Sequence, residues 1–169
     1  FLSIALLVFF SYSNIHAQQQ QKEAQGIDGI TLSDPNLKLE LVTSGLDFPT
    51  TMAFLGPDDF LILEKSGTVK RVTNGKVLDK LLLQVDVSEK DERGLLGIAV
   101  SEKKKENSNG TSILNKDMSH NVFLYYITCN EKNEDCKNQI YRYDLDNKNN
   151  VLVNPKLLLS IPSFPDPAH

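Results

Sequence analysis

The sequence predicts an all-β chain built from short antiparallel strands, grouped as consecutive four-stranded blades of a β-propeller. Three observations point there. No segment of the 169 residues sustains an apolar period near 3.6, so helix content is expected to be low. Short apolar runs are separated by turn signals such as Gly56-Pro57-Asp58-Asp59, Ser66-Gly67 and Asn74-Gly75. The succession of strands then repeats, with Ala53 and Ala99 at equivalent places about 46 residues apart, the period of a four-stranded blade.

Taken in order, residues 1–10 read FLSIALLVFF, with Ser3 the only polar side chain. The run is about half of the ~20 residues that a membrane helix needs. It fits the apolar part of a secretory signal, with a polar stretch and small Ala17 after it, so residues 1–17 are expected to be a signal peptide whose basic start is missing. An uncleaved anchor is the alternative and the one expected route to a membrane. Both readings place the rest of the chain outside the cytoplasm, secreted or extracytoplasmic. Residues 18–36 are polar, with Gly26, Gly29 and Pro35, and read as a linker. Residues 37–169 read as the N-terminal part of a propeller domain, truncated after about two blades, because two blades cannot close a ring.

Within that part, Leu37, Leu39 and Leu41 alternate with Lys38 and Glu40, which predicts a half-buried strand. Residues 51–55 form the next strand. Residues 60–64, FLILE, are apolar on both faces and predict a central strand. Residues 68–72 return, Asn74-Gly75 turns the chain, and residues 76–85 continue as a strand. The second cycle places strands at residues 94–100, 121–128, 139–145 and 151–161. Residues 101–120, with Lys103-Lys104-Lys105, read as a solvated insertion between two strands. Asn109-Gly110-Thr111 matches a glycosylation sequon, which suits a surface loop. Asp144, Asp146 and Asn150 hint at a calcium loop but lack its Gly and closing Glu, so a hairpin turn is expected.

The charge balance excludes one large class of function. Lys and Arg number 18 against 22 Asp and Glu, a net charge of −4, which offers no electrostatic footprint for nucleic acid. Hydrophobic residues at 40% and charged residues at 24% are ordinary globular usage. Cys129 and Cys136 are the only cysteines, and without a nearby His or third Cys they cannot complete a zinc site. In an exported chain they are expected to form a disulfide across the loop joining the strands at 121–128 and 139–145. Two free thiols in that loop are the alternative.

Several stretches, in this order, resemble the glucose/sorbosone dehydrogenase family of soluble quinoproteins. They are Gly45-Leu46 with Pro49; Met52-Ala53-Phe54; Leu61-Ile62-Leu63-Glu64-Lys65; Gly67 with Val69-Lys70-Arg71-Val72; Glu92-Arg93-Gly94-Leu95-Leu96-Gly97-Ile98-Ala99; Asn138-Gln139-Ile140-Tyr141-Arg142-Tyr143; and Leu157-Leu158-Leu159 with Ile161-Pro162, ending at His169. The resemblance implies a six-bladed β-propeller of the quinoprotein glucose dehydrogenase type, with only about the first two blades present. It implies pyrroloquinoline quinone (PQQ) as cofactor with calcium, whose ligands are expected beyond residue 169. The implied substrate is a sugar or related aldose, whose hydride passes to the quinone and then to an electron acceptor.

By position in the resemblance, His169 is the general base, and Glu92 and Arg93 lie beside substrate or cofactor. Glucose-oxidising members carry Gln-Asn where this chain has Glu92-Arg93, which points to a broader aldose as substrate. Ala168 stands where members often carry an acid. On bare residues, an imidazole with a pKa near ~6.5 is a suitable base, while a His after Pro162, Pro165 and Pro167 can also be a plain loop residue. Glu92 and Arg93 can likewise be a surface ion pair. His16 and His120 fall in the signal and the insertion, so neither is expected to be the base. A two-bladed piece alone is expected to be inactive. Two other functions fit the same fold. One is a non-catalytic binding propeller of the same family, which would lack an Arg-Asn pair and a later Lys for the quinone. The other is a calcium-dependent, lactonase-like propeller hydrolase, which would need a Glu, Asn and Asp cluster at the central tunnel.

Overall fold

A computed structural model describes residues 33–34, 36–106, 112–114, 120–132 and 134–163. The described residues hold eleven strands and no helix. In chain order they are β1 (Pro49–Gly56), β2 (Asp59–Glu64), β3 (Thr68–Thr73), β4 (Lys76–Val77), β5 (Leu83–Gln84), β6 (Leu95–Glu102), β7 (Lys104–Glu106), β8 (Ser112–Leu114), β9 (His120–Thr128), β10 (Lys137–Asp146) and β11 (Val151–Pro162).

The first sheet runs β1-β2-β3-β4, with β5 also paired to β3. The second runs β11-β10-β9-β6, and β7-β8 forms a separate hairpin. All pairs are antiparallel, so each main sheet is one meandering blade. The expected two-blade, all-β architecture is present. β2 is central in its blade. Leu61 and Leu63 face one side, while Phe60 and Ile62 face the other with Val72.

The main core lies between the two blades. Leu61, Leu63, Val69 and Leu82 of the first meet Leu95, Val122, Leu124, Tyr143, Leu145 and Leu152 of the second. Each such Leu or Val, fully buried, contributes roughly 1.5–3 kcal/mol relative to exposure. Tyr126 stacks on Tyr141 at 5.4 Å in the same region, and burial raises the hydroxyl pKa of both Tyr126 and Tyr143.

Three sequence expectations need correction. The strand at Leu37, Leu39 and Leu41 is not formed; these residues are irregular and exposed. Alternation marks a face that could be buried, but a strand also needs a neighbour for its backbone groups. The strand expected over 76–85 is broken into β4 and β5. Leu78 N still donates to Arg71 O and Leu82 N to Val69 O, while the residues between loop out. This bulge turns Leu82 into the core, 2% exposed, and offers its carbonyl to Leu152 N of the second blade at 3.0 Å.

The insertion, finally, is not only solvated loop. It carries the β7–β8 hairpin, and Lys103 Nζ lies 2.9 Å from Asp144 Oδ1. Asp144 is buried. Burial acts to raise its pKa, but the Asn154 amide at 2.9 Å, with Lys103 and Arg142, outweighs it and the pKa is lowered. Asn154 is exposed and has φ 55°, where Asn154 and Pro155 together oppose Tyr143 in a bulge of the outer strand β11.

Asn74 and Gly75 both have positive φ, 50° and 74°, the hairpin turn their sequence predicts. The stretch after Asp146 is a turn in which Asn149 N and Nδ2 donate to the Asp146 carboxylate at 3.0 and 2.8 Å, as the incomplete calcium pattern implied.

Candidate functional site

Because strands alternate in direction, their connections fall at two opposite ends of the blades. One end carries the β2–β3 turn, the 85–94 passage from the first blade into β6, the β9–β10 loop and the exit of β11. The other end carries the β1–β2, β3–β4 and β10–β11 turns and the insertion. Glu92, Arg93, Cys129 and Cys136 all belong to the first end, and β11 ends there. His169 itself lies outside the described residues. His120 begins β9 at the second end, away from Glu92.

The Glu92 turn is held from both blades. Lys90 O accepts from Arg93 N at 3.1 Å, closing a tight turn in which Asp91 has φ 55°. Lys65, from the β2–β3 turn, donates its Nζ to Asp91 O at 2.6 Å. Lys65 O then accepts from Leu95 N at 3.1 Å, and Thr50 Oγ1 donates to Leu95 O at 2.8 Å. Gly94 fits this joint because it has φ 145° and no side chain. A Cβ there would lie 2.7 Å from Lys65 O. Leu95, fully buried, seals the joint beneath it.

Glu92 is exposed at the tip of this turn and Arg93 is half-buried. Among the described residues Glu92 has no ion pair; Arg93 instead donates Nη1 to Cys129 Sγ at 3.5 Å. Cys129 and Cys136 are disulfide-bonded, with Cα atoms 4.0 Å apart, across the β9–β10 loop as their spacing predicted. The bonded loop also touches the exit of β11, where Ser163 N donates to Cys136 O at 2.7 Å.

Sequence reasoning missed the part played by Lys65 and Thr50. Both belong to the first blade yet fix the backbone that presents Glu92. Glu64, next to Lys65, is a further unflagged member. Its buried carboxylate accepts from Lys70 Nζ and Asp47 N, each at 2.7 Å, and anchors the chain that enters β1. A charged residue inside an otherwise apolar FLILE run was the available signal.

This end can present an acid and a fixed guanidinium to a polar ligand. Lys65 and Arg93 each spend one N–H within the protein, on Asp91 O and Cys129 Sγ, and their remaining N–H groups are the donors this end can offer. Among the described residues, no group of three His, Cys, Asp or Glu side chains is placed to hold a metal ion.

Two solved structures share the fold. A crystal structure of glucose dehydrogenase aligns with a TM-score of 0.50 at 19% identity, over 69% of this chain and 30% of its own. A putative oxidoreductase (glucose dehydrogenase) from Thermus thermophilus aligns with a TM-score of 0.50 at 23% identity, over 77% of this chain and 33% of its own. The chain thus spans about a third of the length of these relatives. A search of curated protein sequences finds no match. The profile of the glucose/sorbosone dehydrogenase family, by contrast, matches residues 46–168, nearly all of both blades, and the chain belongs to that family.

Proposed function

We propose that this chain forms the first two blades of an extracytoplasmic sugar or aldose dehydrogenase that works with PQQ and calcium and passes electrons to a separate acceptor. The observation that carries the reading is the position of Glu92 and Arg93. Within a chain of this family, they stand on the passage into the innermost strand of the second blade, fixed by contacts from both blades. In a closed ring that strand borders the central tunnel.

The chain's own residues have separable roles in this reading. Glu92 accepts hydrogen bonds from sugar hydroxyls and sets preference among aldoses. Arg93 gives the same wall a fixed donor. His169 accepts the proton of the hydroxyl being oxidised. PQQ, when bound with calcium, would supply the hydride acceptor. Residues 1–17 direct export. N-terminal sequencing of secreted protein is expected to begin at Gln18 or a neighbour, and membrane-embedded protein still carrying FLSIALL would contradict this.

The deciding experiment uses full-length protein with PQQ, calcium, an artificial electron acceptor and a panel of aldoses. Turnover is expected in the wild type. His169→Ala should lower kcat by about 10²–10⁴, with quinone affinity much less affected. Glu92→Gln should shift the ranking of aldoses. A wild type that neither binds quinone nor oxidises any aldose refutes the assignment. Normal turnover in His169→Ala refutes the role of that residue.

A further inference from the structure

The turn that carries Glu92 and Arg93 and the end of β11 at Ser163 are far apart in sequence, yet one loop touches both. Arg93 Nη1 lies 3.5 Å from Cys129 Sγ at one foot of the β9–β10 loop. Ser163 N donates to Cys136 O at 2.7 Å at the other foot. Just below, Ile127 O accepts from Ser88 N at 2.9 Å and Ile127 N donates to Gly94 O at 3.1 Å, so the same strand end also holds both sides of the 88–94 turn. The Cys129–Cys136 bond joins the two feet directly.

We infer that the Cys129–Cys136 loop is a positioning element of the site. It fixes the guanidinium of Arg93, and it fixes the end of β11 at Ser163. The disulfide is thus more than a local staple. It sets the spacing between the Glu92-Arg93 turn and the end of β11.

A staple closing so short a loop would stabilise the blade through its denatured state, by about 2–3 kcal/mol, without regard to what lies beside it. A positioning bond has a local signature as well. The contacts at its two feet loosen selectively when it is removed, while the blades stay closed.

The test uses full-length Cys129→Ser/Cys136→Ser protein, and its kinetic arm rests on the dehydrogenase reading above. Hydrogen exchange is measured first, in the absence of substrate. The amides of Ser88, Arg93 and Ser163 should exchange about tenfold or more faster, while those of Leu61, Leu63 and Leu124 keep their protection. In steady-state assays with PQQ and an aldose, KM should rise roughly tenfold with kcat changed less than about threefold, and quinone binding should be unaltered. Should the double variant fail to fold, mild thiol reduction of the folded wild type opens the same bond and should give the same faster exchange at Ser88, Arg93 and Ser163 and the same rise in KM.

Wild-type exchange at the three amides overturns the inference. So does a uniform loss of protection across both blades, or an unchanged KM in an enzyme that turns over. If the wild type oxidises no aldose, the functional reading falls, and the exchange arm alone decides the positioning role.

Discussion

Replacing Gly94 by Ala should open the joint between the blades. The residue has φ 145°, in a region that side chains rarely enter, which costs about 1–3 kcal/mol for a non-glycine residue. The added Cβ would also sit 2.7 Å from Lys65 O and 2.7 Å from Lys65 Cγ, and a backbone oxygen cannot swing away as a side-chain tip can. Relief requires the β2–β3 turn and β6 to separate. That weakens the bond from Leu95 N to Lys65 O, and a buried amide left without a partner costs about 1–3 kcal/mol. Together these place the loss at about 2–6 kcal/mol. Urea unfolding of full-length protein measures it, with Gly97→Ala as the control. At Gly97, φ is not positive and the new Cβ would meet Tyr125 Cβ at 3.1 Å, a tighter but not impossible contact, so a smaller loss of about 1 kcal/mol is expected there. A Gly94→Ala protein within about 0.5 kcal/mol of wild type, or one less perturbed than Gly97→Ala, would refute the close-approach argument.

Arg71→Ala should cost about 1.5–3 kcal/mol in the same assay. The guanidinium grips Asp59 through two bonds of 2.7 and 2.6 Å and reaches Asn147 and Asn150 of the other blade at 3.1 and 3.0 Å, so Arg71→Lys should recover only part of the loss. The lowered pKa of Asp144 predicts a contribution to stability that is full above the ordinary carboxylate pKa and disappears as pH falls through the lowered value. The stability gap between wild type and Asp144→Asn should therefore be largest near neutrality and shrink in acid; a gap independent of pH would contradict it.

The strand succession and the paired cysteines were legible in the sequence because period-two alternation, turn residues and a short Cys spacing are local signals. Residues 60–64 read correctly as central because a strand apolar on both faces has no solvent side. The failures share a cause. Leu37, Leu39 and Leu41 alternate as a strand does, but pairing is decided by a partner that the segment itself does not encode. Residues 76–85 read as continuous because nothing local says that Leu82 must drop into the core. Lys103 looked like one of three solvated lysines, and only the fold brings Asp144 beneath it. At the candidate site, the Glu92-Arg93-Gly94 stretch stood out through family resemblance, whereas the need for glycine at position 94 comes from Lys65, 29 residues earlier in the chain. Lys65 and Thr50 act through position rather than chemistry, and positional work leaves little trace in a single sequence.

The Arg71 clamp carries a consequence for the order in which the chain becomes structured. Its partners Asn147 and Asn150 lie 76 and 79 residues downstream, whereas Thr50 finds Leu95 after only 45. The first blade can therefore dock the incoming β6 while most of the second is still uncommitted, and the clamp can engage only after the β10–β11 hairpin has closed. Closing the longer loop adds little entropic cost, on the order of 0.5 kcal/mol, because that cost grows with the logarithm of length. What the longer separation imposes is sequence: the finished edge of one sheet is the template on which its successor is laid, and Arg71 acts as a latch that can lock only when that successor is in register.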